Sequence, residues 1–171
     1  VEGESVAREI EARFAELQKM IPEYVVGYET ATVQELIHHT LIERGKTLSV
    51  AESCTGGRIA SLFTAMPGAS AYFMGSVVAY QNRIKEQLLG VSAVSLARHG
   101  AVSEEVVRQM AEGARNCFGT DYAIATSGIA GPSGGSKEKP VGTVWMAVAT
   151  PTRTVALCRQ CGTDRGQIIE R

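Results

Sequence analysis

The most constraining feature of the sequence is Thr47-Leu-Ser-Val-Ala51, which reads as a buried strand, empties into Glu52-Ser-Cys-Thr-Gly-Gly57 and is followed by a helical pattern from about Gly57 to Met66. A buried strand ending in glycines that open a helix is a β-loop-α unit, and such units stack into α/β sheets with their loops along one edge. The rest of the chain has the same grammar. Val6, Ile10, Phe14, Leu17 and Ile21 form one helical stripe over residues 5–21, which Pro22 helps to end. Glu23 to Thr30 reads as a connector or short strand, and a second helix is expected from about Thr32 to Glu43, stopped at Gly45. Strands are expected at Phe73–Tyr80, Tyr122–Thr126, Val141–Ala149 and Thr154–Arg159, the last two as a pair joined across Pro151. Helices are expected at Gln81–Leu89 and after a Ser103 cap, where Val106, Val107, Met110, Ala114, Cys117 and Phe118 make a core face. Between Gly90 and Gly100 only a short connecting segment is read, with His99 in a turn. The pattern predicts a layered α/β domain with a mixed sheet.

Charge narrows the partners. The net charge of −1 over 171 residues leaves no basic surplus to neutralise nucleic-acid phosphates. Residues 1–45 hold nine acids against four bases, so the remainder is net positive, which suits a small anionic substrate. No apolar run approaches the roughly 18 residues of a membrane span, and no signal peptide opens the chain. Four cysteines, Cys54, Cys117, Cys158 and Cys161, do not suggest a disulfide scaffold and point to a cytoplasmic setting. Cys158-Arg-Gln-Cys161 resembles half a zinc knuckle, but no second pair completes it, so no metal site is expected. Val1 in place of a methionine reads as the start of a piece of something longer.

Two strand-to-loop junctions carry the candidate chemistry. At Ala51–Gly57, Ser53 stands where a nucleophile would meet backbone N–H groups able to hold an oxyanion, although Ser53 or Thr55 would equally serve to cap the helix. The stretch is neither a G-x-S-x-G elbow nor a P-loop. At Thr126-Ser-Gly-Ile-Ala-Gly-Pro132, small residues after a strand can cradle a phosphate or form a plain surface loop. A serine needs a base, and the histidines are poorly placed: His38 and His39 lie mostly on the polar side of a helix in the acidic part. Lys85, five residues after Tyr80 across a strand-to-helix junction, can face the same cleft, and a desolvated lysine accepts a proton.

Five stretches together, A-E-S-C-T-G-G at 51–57, A-Y-x-N-x-x-K at 79–85, H-G-A-V-S-E at 99–104, S-G-I-A-G-P at 127–132 and K-P-V-G-T-V-W at 139–145, resemble the competence-damage-inducible protein A (CinA) C-terminal domain over about residues 33–165. The resemblance implies a three-layer α/β/α sandwich, a homodimer, and a cofactor-free hydrolase that removes the carboxamide nitrogen of nicotinamide mononucleotide for pyridine-nucleotide salvage. It places the nucleophile on Ser53, the base on Lys85 and an assisting tyrosine on Tyr80. It also implies substrate contacts from Cys54, Thr55, Gly56, Gly57, Thr126, Ser127, Gly128 and Gly131, with Arg165 as a phosphate contact. Residues 1–32 then read as a helical connector from a further N-terminal domain and 33–171 as the amidohydrolase-like domain. A non-catalytic pyridine-nucleotide-binding module is the alternative. The family's last helix follows the arginine of a G-D-R pattern, here Thr163-Asp-Arg165, and the chain stops at Arg171, so this helix is either missing, which would leave one sheet face less well packed, or only disordered or trimmed.

Overall fold

The computed structural model describes residues 2–20 and 32–170. The chain divides into two units between Ile37 and His38. In the first, α1 (Glu2–Met20) is the helix expected from the apolar stripe, with Val6, Ile10 and Phe14 each about half exposed. Arg13 braces its polar side by pairing with Glu16 at 3.1 Å and Glu9 at 3.9 Å. Pro22 and the Glu23–Thr30 stretch lie outside the described residues. Helix α2 (Val33–Glu43) opens with a reciprocal cap: the Glu35 carboxylate accepts the Thr32 backbone N–H at 2.6 Å, and Thr32 Oγ1 accepts that of Glu35 at 3.3 Å.

The second unit is built on a five-stranded sheet. Its strands are β1 (Leu48–Glu52), β2 (Phe73–Val78), β3 (Tyr122–Gly128), β4 (Thr143–Ala149) and β5 (Thr154–Gln160), in the order β2-β1-β3-β4-β5. The first three run parallel, and β4 and β5 return antiparallel as a hairpin. Helices α3 (Arg58–Thr64), α4 (Asn82–Leu89), α5 (Ala93–His99), α6 (Glu104–Phe118) and α7 (Arg165–Glu170) complete the unit.

Strand parity sets the layers. Ala51, Ala123, Ala125, Ala147 and Ala149 all face the buried stripe of α6, Val106, Val107, Met110, Ala111 and Ala114. Small side chains across this sheet face let α6 lie close against it. Residues of the other parity face α3 and α7: Val144 packs with Ile168, and the Glu52 side chain reaches the first turn of α3. The result is the three-layer α/β/α sandwich with a mixed sheet.

On its outer side α6 meets α4 at Gly113. A Cβ built there would lie 1.9 Å from the Leu89 carbonyl oxygen and 2.7 Å from its carbon, both rigid backbone atoms. Gly113→Ala is therefore expected to lower the unfolding free energy by about 2 kcal/mol. Overpacking costs about 1–3 kcal/mol or more, while the gain in helix propensity is only about 1 kcal/mol. Urea unfolding checks this, and an unchanged or raised midpoint would contradict it.

Three local expectations are corrected and one open point is narrowed. Residues 93–99 form α5, capped by Ser92 Oγ accepting the Ser95 N–H, so His99 ends a helix rather than sitting in a turn. Strand β3 runs on through Ser127 and Gly128, because β4 continues to pair with it there. His38, expected mostly on the polar side of its helix, is half-buried, its ring edge-on to Tyr72 with Nδ1 3.3 Å from Oη. Arg165–Glu170 is helical and buries Ile168, so the turns that follow Thr163-Asp-Arg165 are present and cover the sheet.

Candidate active site

The parallel strands β1, β2 and β3 all end at one edge, and the loops there enclose a cleft of about 350 Å³. Ser53 follows β1 directly. Its backbone N–H extends the β1–β3 ladder by donating to the Thr126 carbonyl at 3.0 Å, while the Ala79 N–H extends the β1–β2 ladder to the Glu52 carbonyl at 2.7 Å. Both neighbouring strands thus hold the backbone that carries Ser53.

From the first helical turns after β2, Lys85 of α4 turns inward and is only 1% exposed. Its Nζ lies 3.2 Å from Ser53 Oγ and donates to the Ala79 carbonyl at 2.6 Å. Burial pushes the Lys85 ammonium below its ordinary value of 10.5, and among the described residues no carboxylate lines the cleft to offset it. A serine hydroxyl against a desolvated lysine whose nitrogen is aimed by a backbone carbonyl can transfer a proton in place. The neighbouring Cys54 is a weaker candidate nucleophile. Burial pushes its thiol up to about 11, so it stays protonated at neutral pH.

Glu52, the last residue of β1, was not singled out as a functional residue by its sequence position, yet it builds the turn. It is fully buried, and its carboxylate accepts the backbone N–H groups of Gly57 at 2.9 Å, Ile59 at 3.1 Å and Ala60 at 2.8 Å. It therefore caps α3 from the preceding strand and folds Ser53–Gly56 into a tight loop. Gly57 adopts φ of 100°, a left-handed conformation that a side chain would resist, and this lets the chain double back under the cap.

The cleft brings together Ser53, Cys54, Tyr80, Lys85, Ser127, Gly128, Gly131 and Arg165 from the sequence expectations, and adds Asn82, Ser133 and Gly134. Thr55, Gly56, Gly57 and Thr126 stand behind it. Thr55 and Thr126 share a hydroxyl–hydroxyl hydrogen bond of 2.8 Å that ties the first loop to β3. The N–H groups of Gly56 and Gly57 are engaged by the Ser53 carbonyl and Glu52, so neither is free to receive an anion. Gly128 is required by close approach, since a Cβ there would lie 2.9 Å from Cys54 Sγ and 2.8 Å from Val144. Tyr80 Oη does not sit on the lysine: it accepts from Arg165 Nη2 at 3.1 Å, and Arg165 Nη1 donates to the Gly131 carbonyl at 2.9 Å. A larger hollow of about 540 Å³ between α4 and α6, lined by Leu88, Gln109, Glu112 and Cys117, holds no buried nucleophile or base.

A family-wide sequence profile, the CinA C-terminal domain, matches residues 30–171. The chain belongs to the CinA C-terminal domain family. A CinA-like protein from Parasynechococcus marenigrum is 48% identical over 96% of this chain and 39% of its own length. One from Anaeromyxobacter sp. (strain K) is 51% identical over 85% of this chain and 36% of its own length. The chain thus spans about two fifths of the length of the curated relatives it matches. Among solved structures, the competence damage-inducible protein A (ComA) from Klebsiella pneumoniae superposes with a TM-score of 0.77 at 38% identity, covering 80% of this chain and 84% of that one. The competence-damaged protein (CinA) superfamily protein from Enterobacter cloacae gives 0.78 at 35% identity, over 85% and 88%. In this CinA domain the motif residues at the carboxyl edge fall into two groups. Ser53, Cys54 and Lys85 are inside the cleft, while Glu52, Thr55 and Thr126 hold its wall. Among the described residues no helix is long and apolar enough to cross a membrane.

Proposed function

We propose that this CinA domain hydrolyses the carboxamide of nicotinamide mononucleotide to nicotinic acid mononucleotide and ammonia, as a step of pyridine-nucleotide salvage, by Ser–Lys covalent catalysis. The observation that carries the reading is the buried Lys85 Nζ at 3.2 Å from Ser53 Oγ in a cleft of mononucleotide size. In this scheme Ser53 Oγ attacks the carboxamide carbon and its proton passes to neutral Lys85. Lys85 returns that proton to the departing ammonia, leaving an acyl-serine. Water, deprotonated by the same amine, then releases the carboxylic acid and restores Ser53. The oxyanion is held by the N–H groups of Cys54 and Thr55, because those of Ser53, Gly56 and Gly57 are already engaged. Losing one such donor costs about 100- to 1000-fold in turnover. Arg165 and the Gly131–Gly134 loop form the end of the cleft suited to the phosphate.

Ammonia release from nicotinamide mononucleotide, run beside Ser53→Ala, tests the scheme. Turnover in the parent that vanishes in the variant is the expected result. Full turnover in Ser53→Ala would sink the covalent route. Calorimetric binding of the nucleotide with no ammonia released would identify a nucleotide-binding module instead. The same reading carries a homodimer, which light scattering checks.

A further inference from the structure

The contact between Arg165 and Tyr80 has no part in the chemistry just described. The guanidinium is held by two uncharged acceptors, the Tyr80 hydroxyl at 3.1 Å and the Gly131 carbonyl at 2.9 Å. The acids nearest to it along the chain are engaged elsewhere. Asp164 Oδ1 accepts the Gln167 N–H at 2.9 Å, and Glu170 pairs with Arg58 at 2.8 Å. Among the described residues Arg165 forms no ion pair. Meanwhile, among the described residues, Tyr80 carries the one phenol lining the cleft, and it is 58% exposed, turned out to the arginine. Lys85 Nζ is engaged by Ser53 and the Ala79 carbonyl, so the phenol lies outside the reacting pair.

We propose that Arg165 is a latch on Tyr80 that the phosphate of the substrate releases, coupling recognition of the phosphate to assembly of the catalytic centre. The inference rests on the amidase reading above and adds its control. A phosphate dianion is a far better acceptor for the guanidinium fork than a phenol or a peptide carbonyl, so it takes both Nη groups together. Tyr80, at the β2–α4 junction five residues before Lys85, then turns its hydroxyl inward, where it passes its proton to the leaving ammonia and takes in exchange the one that Lys85 received from Ser53. Binding of a remote group is in this way converted into turnover instead of affinity alone.

The test compares ammonia release from nicotinamide mononucleotide, from nicotinamide riboside, and from the riboside with added phosphite dianion. The full chain is assayed alongside Arg165→Met, Arg165→Lys and Tyr80→Phe. In the parent, phosphite is expected to raise kcat on the riboside by about tenfold, the shift that removal of a charge-assisted bond of about 1.4 kcal/mol allows. Arg165→Met, already unlatched, turns over the riboside about tenfold faster than the parent without phosphite and no longer responds to it. In Tyr80→Phe the response of kcat is lost. A phosphite effect confined to KM, or riboside turnover in Arg165→Met no faster than in the parent, would overturn the latch. Should the arginine variants fail to fold, 3-fluorotyrosine labelling of the parent gives a direct readout. The 19F resonance assigned to Tyr80, by its loss in Tyr80→Phe, shifts when phosphite is added. Ammonia from the mononucleotide with a Tyr80 resonance unmoved by phosphite overturns the latch alone. No ammonia from the mononucleotide removes the amidase reading and the latch with it.

Discussion

Replacing Lys85 by methionine is expected to abolish turnover while making the domain harder to unfold. The lysine is 1% exposed and, among the described residues, has no carboxylate partner, so the fold carries the cost of desolvating its amine. Methionine fills nearly the same volume without that cost. The Ala79 carbonyl and the Ser53 hydroxyl each lose a partner, which together takes back about 2 kcal/mol. Substituting a buried charge by an apolar side chain of like size gains about 1–4 kcal/mol, so at the middle of that range the net is a stabilisation of under about 1 kcal/mol. The pH dependence gives the sign independently. The pKa of Lys85 is lower in the folded state than its ordinary 10.5, so between those two values the unfolded chain binds more protons. Stability of the parent therefore rises with pH through that window and is lowest below it. The advantage of Lys85→Met should be largest at low pH and shrink as pH approaches 10.5. Turnover follows the same group: kcat/KM of the parent rises with pH on a limb lying below 10.5, whereas the variant loses about 10³-fold or more and shows no such limb. Thermal unfolding and a pH–rate profile of both proteins measure this. A destabilised variant, or an unchanged profile, would remove Lys85 from the role of base. Such an opposition between stability and activity is what a site built for chemistry, not for packing, produces.

Removing the Glu52 carboxylate is expected to be as damaging to the site as to the fold. Three backbone N–H groups at the start of α3 have that carboxylate as their acceptor. Glu52→Ala leaves them to compete for what water reaches them, a loss of about 3 kcal/mol from a domain whose whole stability is of order 5–15 kcal/mol. Glu52→Gln keeps the shape and one acceptor oxygen but turns an amide NH₂ towards N–H donors, so a loss of about half that size is expected. The Ser53 turn is suspended between the Glu52 carbonyl and the capped helix, so the consequence reaches the nucleophile. The glutamine variant should remain folded and lose turnover by about 10- to 100-fold, with KM little changed, because a misplacement of about 1 Å has that effect on a positioned nucleophile. Circular dichroism with steady-state kinetics on Glu52→Gln separates the two effects. A folded variant of full activity would show that α3, not Ser53, is all that the cap supports.

Much of the fold was legible because its signals are local. Helix α6 declares itself through an apolar face at helical spacing between a Ser103 cap, whose Oγ accepts the Val106 N–H at 3.4 Å, and a left-handed Gly119. Strand β1 is buried along its whole length because both of its faces are covered, and Leu48, Val50 and Ala51 are enough to mark it in the sequence. Helix α5 was missed because seven residues with a single buried apolar position, Leu96, show no period. The last residues of β3 were missed for another reason. Ser127 and Gly128 have poor strand propensity, and it is the pairing with Trp145 and Val144 across the ladder that makes them strand.

By itself the sequence determined the order of elements, the two loops at one sheet edge, and the residue types able to do acyl chemistry, because periodicity, caps and glycines act within a few residues of themselves. Only the tertiary structure decided how those residues are used. Lys85 reaches Ser53 across 32 residues, Arg165 reaches Tyr80 across 85, and Glu52 becomes a cap because the strand that ends in it stops directly beneath α3. Each depends on where a buried or reoriented side chain meets a group brought in by sheet pairing. Desolvation and hydrogen-bond direction are properties of that meeting and not of any stretch of chain.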